Sequence, residues 1–569
     1  MIGKLDGLQD GASYDVVVIG SGGAGMAAAV FAAIEDKRVL LVERTEYLGG
    51  TTALSAATTW APNSHHAKGS GDSFEKADRF LTNVVGNHSR LDMRRAFLRS
   101  APKAIAVLEA GSDVRFRPYA LHPDYVQEVE GATLTGRALE PLPFDGRQLG
   151  EVLALVRPPI PEFTIFGGMM VDRTDIGHLL KLKQSVASFR HAAKMLGRHA
   201  LDRLSRPRGT RLVMGNALIG RMLLTLRQRQ VDIVLQTSVT ELIRDGHTVT
   251  GVVLASQGAA RRITATSAVV MASGGFNRHK TRRAEMLHRP TPAYSPGAPG
   301  HTGELQDLAL GLGARFGEGS LDNAFWAPVS VRKRADGSTA VFPHFVMDRS
   351  KPGTVAVNSL GRRFVNETVS YHLFSRAMFE THPQAPCIPA FLITDAEGLR
   401  KYGLGMVRPG GRRLKPYLAD GYLTEAPSVA ELAEKLGIDD QALEQTIAAM
   451  NGYAATGVDT AFGRGTTAYH RVNGDAGQQP NPTLGPIATA PFYAVKLYPG
   501  DIGAANGLVT DEQAQVLDRD NQPIRHLYAC GNDMQSIMGG TYPGPGITIG
   551  PAITFAYRAI RHALHGETN

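Results

Sequence analysis

Cysteine is almost missing from this chain: Cys387 and Cys530 are the only two in 569 residues. Two cysteines make neither a disulfide framework nor a thiolate metal cluster, so a reducing compartment, the cytoplasm by default, is expected. Long apolar runs are missing too. No stretch of about 18 apolar residues occurs, so no membrane-spanning helix is expected. The opening MIGKLDGLQDGASYDVVVIG has no apolar core of signal-peptide length before its first strand. There is no internal repeat and no low-complexity tract. Basic charge is not spread over the chain either. The formal charge is +8, but ten Lys/Arg and three Asp between Asp172 and Arg211 leave +7 in that one segment. The remainder is close to neutral, which excludes a general nucleic-acid-binding surface. What is present is ordinary for a soluble enzyme of two or three domains, with 43% apolar and 20% charged residues.

The N-terminal region reads strand, turn, helix, strand. DVVVI at 15–19 is a short β-branched run, MAAAVFAAI a helical one, and VLLVE a second strand ending at Glu43. Between the first two lies Gly20-Ser21-Gly22-Gly23-Ala24-Gly25, a GxGxxG turn. Its glycines allow a tight turn, approach of a pyrophosphate to the backbone, and close helix–strand packing. The helix N-terminus then offers free N–H groups to the anion. Glu43, 18 residues after Gly25, suits a ribose hydroxyl pair. This is the start of a doubly wound α/β sheet. Residues 231–273 return to β-branched alternation, a Pro/Gly-rich stretch at about 284–303 changes the character of the chain, and a second boundary lies near 480–500. HLYACGND and GPGITIGPAITFAYRAIRHAL again read strand, turn, apolar helix. The expected architecture is a Rossmann-like domain made from 1–283 and 501–569, with an inserted α+β substrate domain at 284–500.

FAD fits this layout better than NAD. Gly49-Gly50-Thr51-Thr52-Ala53-Leu54-Ser55 follows the acidic strand, with Gly50, Thr51, Thr52 and Ser55 suited to a second phosphate and a flavin edge. Near the other end, Gly531-Asn532 follows a strand and Thr548-Ile549 opens a helix, whose positive end would stabilise a reduced flavin. Both ends of the chain then serve one dinucleotide.

With these segments in view, the chain resembles the fumarate reductase-like FAD superfamily, and within it the 3-ketosteroid Δ1-dehydrogenase family. The likeness is carried by GSGGAGMAAA, GGTTALSAATTWAP, ASGGFN, GRRFVNETVSYHLFSRAM, GLVTDEQAQVLDRDNQPIRHLYACGN and, most specifically, TYPGPGITIGPA. It covers nearly the whole chain except about 165–210. The resemblance implies catalytic roles for Tyr125 in LHPDYVQE, Tyr371 in FVNETVSY, and Tyr542 and Gly546 in TYPGPG. It also implies cofactor contacts at Val239 and at Gly274. Asn532 stands where the wider superfamily often has the Glu of Ala-Gly-Glu, as in the ketosteroid branch. Glu304, in HTGELQD, stands where many relatives have Gly-Asp. With 16 tyrosines in the chain, any one alone reads as a packed aromatic.

The implied reaction takes a proton from C2 and a hydride from C1 of a 3-ketosteroid. Tyr542 and the Gly546 N–H would receive the C3 oxygen. Tyr371 would be the base, with Tyr125 hydrogen-bonded to it, and the flavin would take the hydride. A free tyrosine titrates near 10, so Tyr371 is expected to be acidified, or the reaction to favour alkaline pH. A quinone-type acceptor is implied by the family. Fumarate reduction needs cationic anchors that these tyrosines do not supply. A Δ4(5α)-ketosteroid dehydrogenase and a non-catalytic flavin electron carrier remain the alternatives.

The basic segment has its own pattern. Over 178–204, apolar residues at 179, 182, 186, 189, 193, 196, 200 and 204 follow helical spacing, with Lys181, Lys183, Arg190, Lys194 and Arg198 around them. Gly197 weakens such a helix without ending it. Either the stripe packs on the main body, or residues 172–211 attach the enzyme peripherally to an anionic membrane surface.

Overall fold

The β-branched runs of the N-terminus lie at the centre of a nine-stranded sheet. In the computed structural model, residues 2–182, 185–346 and 348–566 are described. Strand β1 (Ser13–Ile19) leads through the glycine turn into helix α1 (Gly23–Ile34), and β2 (Val39–Val42) lies parallel to β1 with Val18 opposite Leu41. Val16, Val17 and Val18 are fully buried, as strands covered on both faces must be. Helix α1 is buried almost all round, and its alanines let it lie close to its neighbours.

The chain then leaves the sheet. Helix α2 (Leu91–Gly111) is followed by α3 (Arg173–Leu180) and α4 (Val186–Ser205) in the basic segment. It returns with β3 (Asp232–Val234), parallel to β2, and with a meander of β4 (Ser238–Asp245), β5 (Thr248–Ser256) and β6 (Ala259–Met271). β6 pairs in parallel with β1 on one side. The second departure builds a six-stranded antiparallel sheet around β7 (Ala324–Lys333), with helix α5 (Tyr371–Thr381) against it and β8 (Phe492–Ala504) pairing with β7. β8 runs four residues past the expected boundary at 500. Last come β9 (Pro523–Ala529), parallel to β6 with Val270 opposite Tyr528, and helix α6 (Ile549–His565), which packs on α1 and α2. No helix among the described residues is long and apolar enough to cross a membrane.

The basic segment departs from the single helix expected over 178–204. Asp172 and Asp175 form a reciprocal cap that starts α3, and Ser185 caps α4 separately. Lys183 lies outside the described residues. The packing is also the reverse of one with the stripe inward. Ser188, Ala192, Met195, His199 and Asp202 face inward. They are held by polar bonds: His178 to Ser188, His199 to the Phe166 carbonyl, and the Thr210 N–H to Asp202. The apolar stripe faces out, with Val186 77% and Leu204 84% exposed. Local polar partners, not apolar burial, decide which face of α4 turns in.

Candidate active site

The cofactor half is built from close backbone approaches. Gly20 sits at φ +105°, and a Cβ there would lie 2.2 Å from the Ala272 carbonyl oxygen; one on Gly25 would lie 1.8 Å from the Gly20 oxygen. Neither position admits a side chain. Glu43 is turned back onto this loop. One carboxylate oxygen accepts from the Ser21 N–H and hydroxyl (3.1 and 2.5 Å), the other from the Thr45 N–H and hydroxyl (both 2.8 Å). Thr52 accepts the Gly23 N–H at 3.0 Å, and the Ser55 hydroxyl donates to the Thr52 carbonyl. Thr51 accepts the Ala298 N–H and faces the His301 ring, against which Gly274 packs. Gly50 approaches Gly22, and Gly531 approaches Ala24. Asn532 and Thr548 line a narrow cavity with Phe325 and Ile547, and Ile549 starts α6 beside it. Val239 is the second residue of β4 and lies two residues after Thr237, whose N–H donates to the Glu43 carbonyl. The residues expected to hold the cofactor therefore run from Glu43, beside the glycine turn, to the N-terminus of α6. A glycine cradle that excludes side chains, together with the buried, unpartnered Nδ1 of His301, fits an extended dinucleotide.

Beyond that path stand the tyrosines. Tyr125, from the loop after residue 118, Tyr371, at the start of α5, and Tyr542, in the turn before α6, come together from three distant parts of the chain. Their rings lie 5.0–5.8 Å apart, Tyr125 stacked on Tyr542 and Tyr371 edge-on to both. The Tyr125 hydroxyl donates to that of Tyr371 at 3.3 Å. Gly546 is at φ +88°, its would-be Cβ filled by the Thr58 carbonyl. Among the described residues its N–H meets no protein acceptor, while its carbonyl accepts from Trp60 and Gly550.

Burial raises all three phenols. Tyr371 is pushed well above its ordinary value, first by burial and then by the Tyr125 and Tyr542 oxygens. Burial likewise lifts Tyr125 well above that value. For Tyr542 burial is offset by hydrogen bonding to Tyr371 and Thr548. Burial therefore opposes the expected acidification of Tyr371 and favours the alkaline alternative.

Several neighbours were not anticipated. Tyr469 lies 4.8 Å from the Tyr125 ring and is buried, and Phe325 and Phe345 pack edge-on to Tyr542 and Tyr371. Tyr119 reaches the Thr58 hydroxyl at 3.3 Å. Asp124 holds the Tyr125 loop: it accepts from the Trp60 indole, from Thr133 and from Arg137, which also pairs with Asp72. Burial raises its carboxyl, and Arg137 opposes the rise. Asp533, next to Asn532, accepts the Ser273 hydroxyl and the Gly275 N–H and so fastens the ends of β6 and β9 together. The adjacency of Asp124 to Tyr125 and of Asp533 to Asn532 was the available signal. Nothing local marked Tyr469 or the phenylalanines.

The chain matches the family described as "FAD binding domain" over residues 15–549. It is 36% identical to the 4-oxocyclohex-2-ene-1-carboxylate 5-dehydrogenase of Sinomonas cyclohexanicum, over 96% of this chain and 93% of that one. It is 34% identical to the 3-oxosteroid 1-dehydrogenase of Mycolicibacterium smegmatis, over 96% and 97%. The crystal structure of 3-ketosteroid Δ1-dehydrogenase from Sterolibacterium denitrificans, in complex with 1,4-androstadiene-3,17-dione, superposes with a TM-score of 0.91 at 34% identity, covering 98% of this chain and 100% of that one. The chain therefore binds FAD and belongs to the FAD binding domain family, in the branch that holds the 3-ketosteroid Δ1-dehydrogenases.

Proposed function

We propose that this enzyme is a 3-oxosteroid 1-dehydrogenase, which desaturates the C1–C2 bond in ring A of a 3-ketosteroid. The observation that carries the reading is the packing of Tyr125, Tyr371 and Tyr542 beside the unpaired N–H of Gly546. FAD, when bound, supplies the acceptor for the hydride that leaves C1. The chain does the rest. Tyr542, kept neutral by burial, and the Gly546 N–H donate to the C3 oxygen, which makes the C2 proton removable. Tyr371, as phenolate, takes that proton on its phenolate oxygen while the C2–H electron pair moves toward the carbonyl. Tyr125 donates to the same oxygen. The aromatic walls of Phe325, Phe345 and Tyr469 keep water from the enolate and suit an uncharged ring system. Anaerobic mixing with androst-4-ene-3,17-dione tests this: the flavin should bleach and the 1,4-diene should form. An oxidised flavin after mixing defeats the reading.

A second reading has its own support. The Sinomonas relative is named for a small cyclic ketone that carries a carboxylate, and Arg173, exposed at the start of α3, sits over the Tyr119 ring at 5.8 Å. Turnover of 4-oxocyclohex-2-ene-1-carboxylate that falls in Arg173→Ala, with no bleaching by the steroid, selects it.

The outward face of α4 supports peripheral attachment to an anionic membrane. Val186, Phe189, Leu196, Leu201 and Leu204 are exposed there, with Phe166 nearby. Lys181, Arg190 and Lys194 are exposed around them. The patch is less basic than the raw count of ten, because Arg198, Arg208 and Arg211 are held by internal partners. Lys181, Arg190 and Lys194 alone contribute about 3 kcal/mol near anionic headgroups, and the stripe inserts shallowly. Steroid and a quinone acceptor both partition into lipid, so attachment delivers substrate and oxidant together. Phe189→Asp with Leu204→Asp should shift the enzyme from sedimenting anionic vesicles to the supernatant at unchanged turnover of detergent-dissolved steroid. Wild-type enzyme that ignores such vesicles at low salt ends this part of the proposal.

A further inference from the structure

Away from the flavin path, three ligating side chains converge. His65 and His66 open the short 3-10 turn His65–Ala67, and Glu109 lies in the last turn of α2. The Nε2 atoms of both histidines point at one oxygen of Glu109, at 2.9 and 2.8 Å, and the two rings lie 4.1 Å apart. The second Glu109 oxygen is fixed by the Phe116 N–H at 2.8 Å, an outer-shell bond of the kind that aims a ligating carboxylate. His66 and Glu109 are largely buried, while His65 is half exposed. A cation, Arg115, is close by, but its guanidinium bonds the Glu109 carbonyl and leaves the carboxylate to the histidines.

We infer that His65, His66 and Glu109 form a divalent metal site of the zinc type, outside the catalytic centre. Two imidazoles and a carboxylate are the donor set that borderline ions such as Zn²⁺ take, with the exposed His65 side open to a water as fourth ligand. Metal–ligand bonds of about 2.0–2.2 Å place tetrahedral ligands roughly 3.3 Å apart, so the two N···O separations open by only about half an ångström on binding, and all three ligand atoms lie within 4.8 Å of one another. As neutral groups the imidazoles crowd two N–H bonds onto one oxygen. With each imidazole proton on Nδ1, a metal ion takes both Nε2 lone pairs, and Glu109 offsets one of its two positive charges.

The position gives the site an effect. The turn lies in the loop that joins Trp60 to Asp72. At one end, the Thr58 carbonyl fills the space beside Gly546 and the Trp60 N–H donates to the Gly546 carbonyl. At the other, Asp72 holds Arg137, which holds Asp124 beside Tyr125. A metal that ties this loop to α2 stiffens the support of the oxyanion donor and of Tyr125 together.

The test uses untagged, FAD-loaded enzyme stripped with chelator and titrated with ZnCl₂ alone. One ion should bind per chain with a dissociation constant of about 10 μM or tighter, and the melting temperature should rise by about 2 °C or more at saturation. His65→Ala, at a half-exposed side chain that the core does not need, should weaken binding at least tenfold. His66→Ala and Glu109→Gln should abolish it, with flavin absorbance intact as the check on folding. Equal stoichiometry and affinity in wild type and His65→Ala, or no binding and no thermal shift in wild type, overturns the proposal.

Discussion

The burial of Tyr371 makes a quantitative demand on the pH dependence of the enzyme. Its phenol is held above the ordinary value of 10, and the working form of a base is the deprotonated one. At pH 7 fewer than about one molecule in 10³ then carries the phenolate, and this fraction grows tenfold with each pH unit. The rate constant for steroid-dependent flavin bleaching should therefore climb about 100-fold between pH 7 and pH 9, with no plateau in that window. Stability does not confuse the measurement. A folded value raised above the unfolded one costs stability only as pH passes the unfolded value near 10, so below it these phenols are neutral in both states. Tyr371→Phe should lose on the order of 10²–10⁴ in the same rate and flatten its pH profile, because the titrating acceptor is gone. Tyr125→Phe should keep the slope and lower the line, since it removes a donor to Tyr371 and not the base. Stopped-flow absorbance under anaerobic conditions reads all three. A wild-type rate that is flat from pH 7 to 9, or a Tyr371→Phe enzyme with a wild-type slope, would refute the assignment of Tyr371.

Other substitutions examine other parts of the structure. Tyr542→Phe removes one of two donors to the C3 oxygen and should cost about 100-fold in bleaching rate, with steroid affinity less affected; an unchanged rate means the hydroxyl points away from the carbonyl. Gly25→Ala places a Cβ 1.8 Å from the Gly20 oxygen, so the purified protein should be colourless or insoluble; a yellow, active variant contradicts the described turn. Asp124→Asn leaves the buried Arg137 with Asp72 as its only carboxylate and should cost about 3 kcal/mol or more by urea unfolding, with activity lost alongside.

The glycine turn and its acidic strand were legible because they are local. Gly20 to Gly25 and Glu43 sit within one strand–turn–helix–strand unit, and the reasons for their identities are backbone reasons. The clustering of the three tyrosines could be expected only through resemblance. Tyr125, Tyr371 and Tyr542 meet across more than 400 residues of chain, and no spacing rule joins them. Tyr469, Phe325 and Phe345 were invisible for the same reason. The basic segment shows another limit. Periodicity at 186, 189, 193, 196, 200 and 204 correctly indicated a helix and its apolar face. It could not say which way that face turns, because the decision lies with Ser188, His199 and Asp202 and their partners. The break before Val186 was written in the caps Asp172, Asp175 and Ser185, which a reading by apolar spacing passes over.

The pairing of β6 with β9 has a consequence for how the molecule is made. Val269, Val270 and Met271 lie opposite Leu527, Tyr528 and Ala529, so this edge of the central strand waits for residues synthesised about 258 positions later. At ribosomal rates of roughly 5–20 residues per second, that is about 13 to 50 s during which an apolar strand edge is finished on one side and open on the other. Such an edge is a template for misplaced pairing. The second sheet, from β7 to β8, emerges in exactly that interval and can fold on its own antiparallel pairings meanwhile. Until the last helix leaves the ribosome there is no complete dinucleotide groove, so a nascent chain cannot draw on flavin binding for stability. Flavin supply and growth temperature during expression should accordingly govern yield after release from the ribosome, and a chain stopped before residue 523 should be cleared by proteases or aggregate along β6.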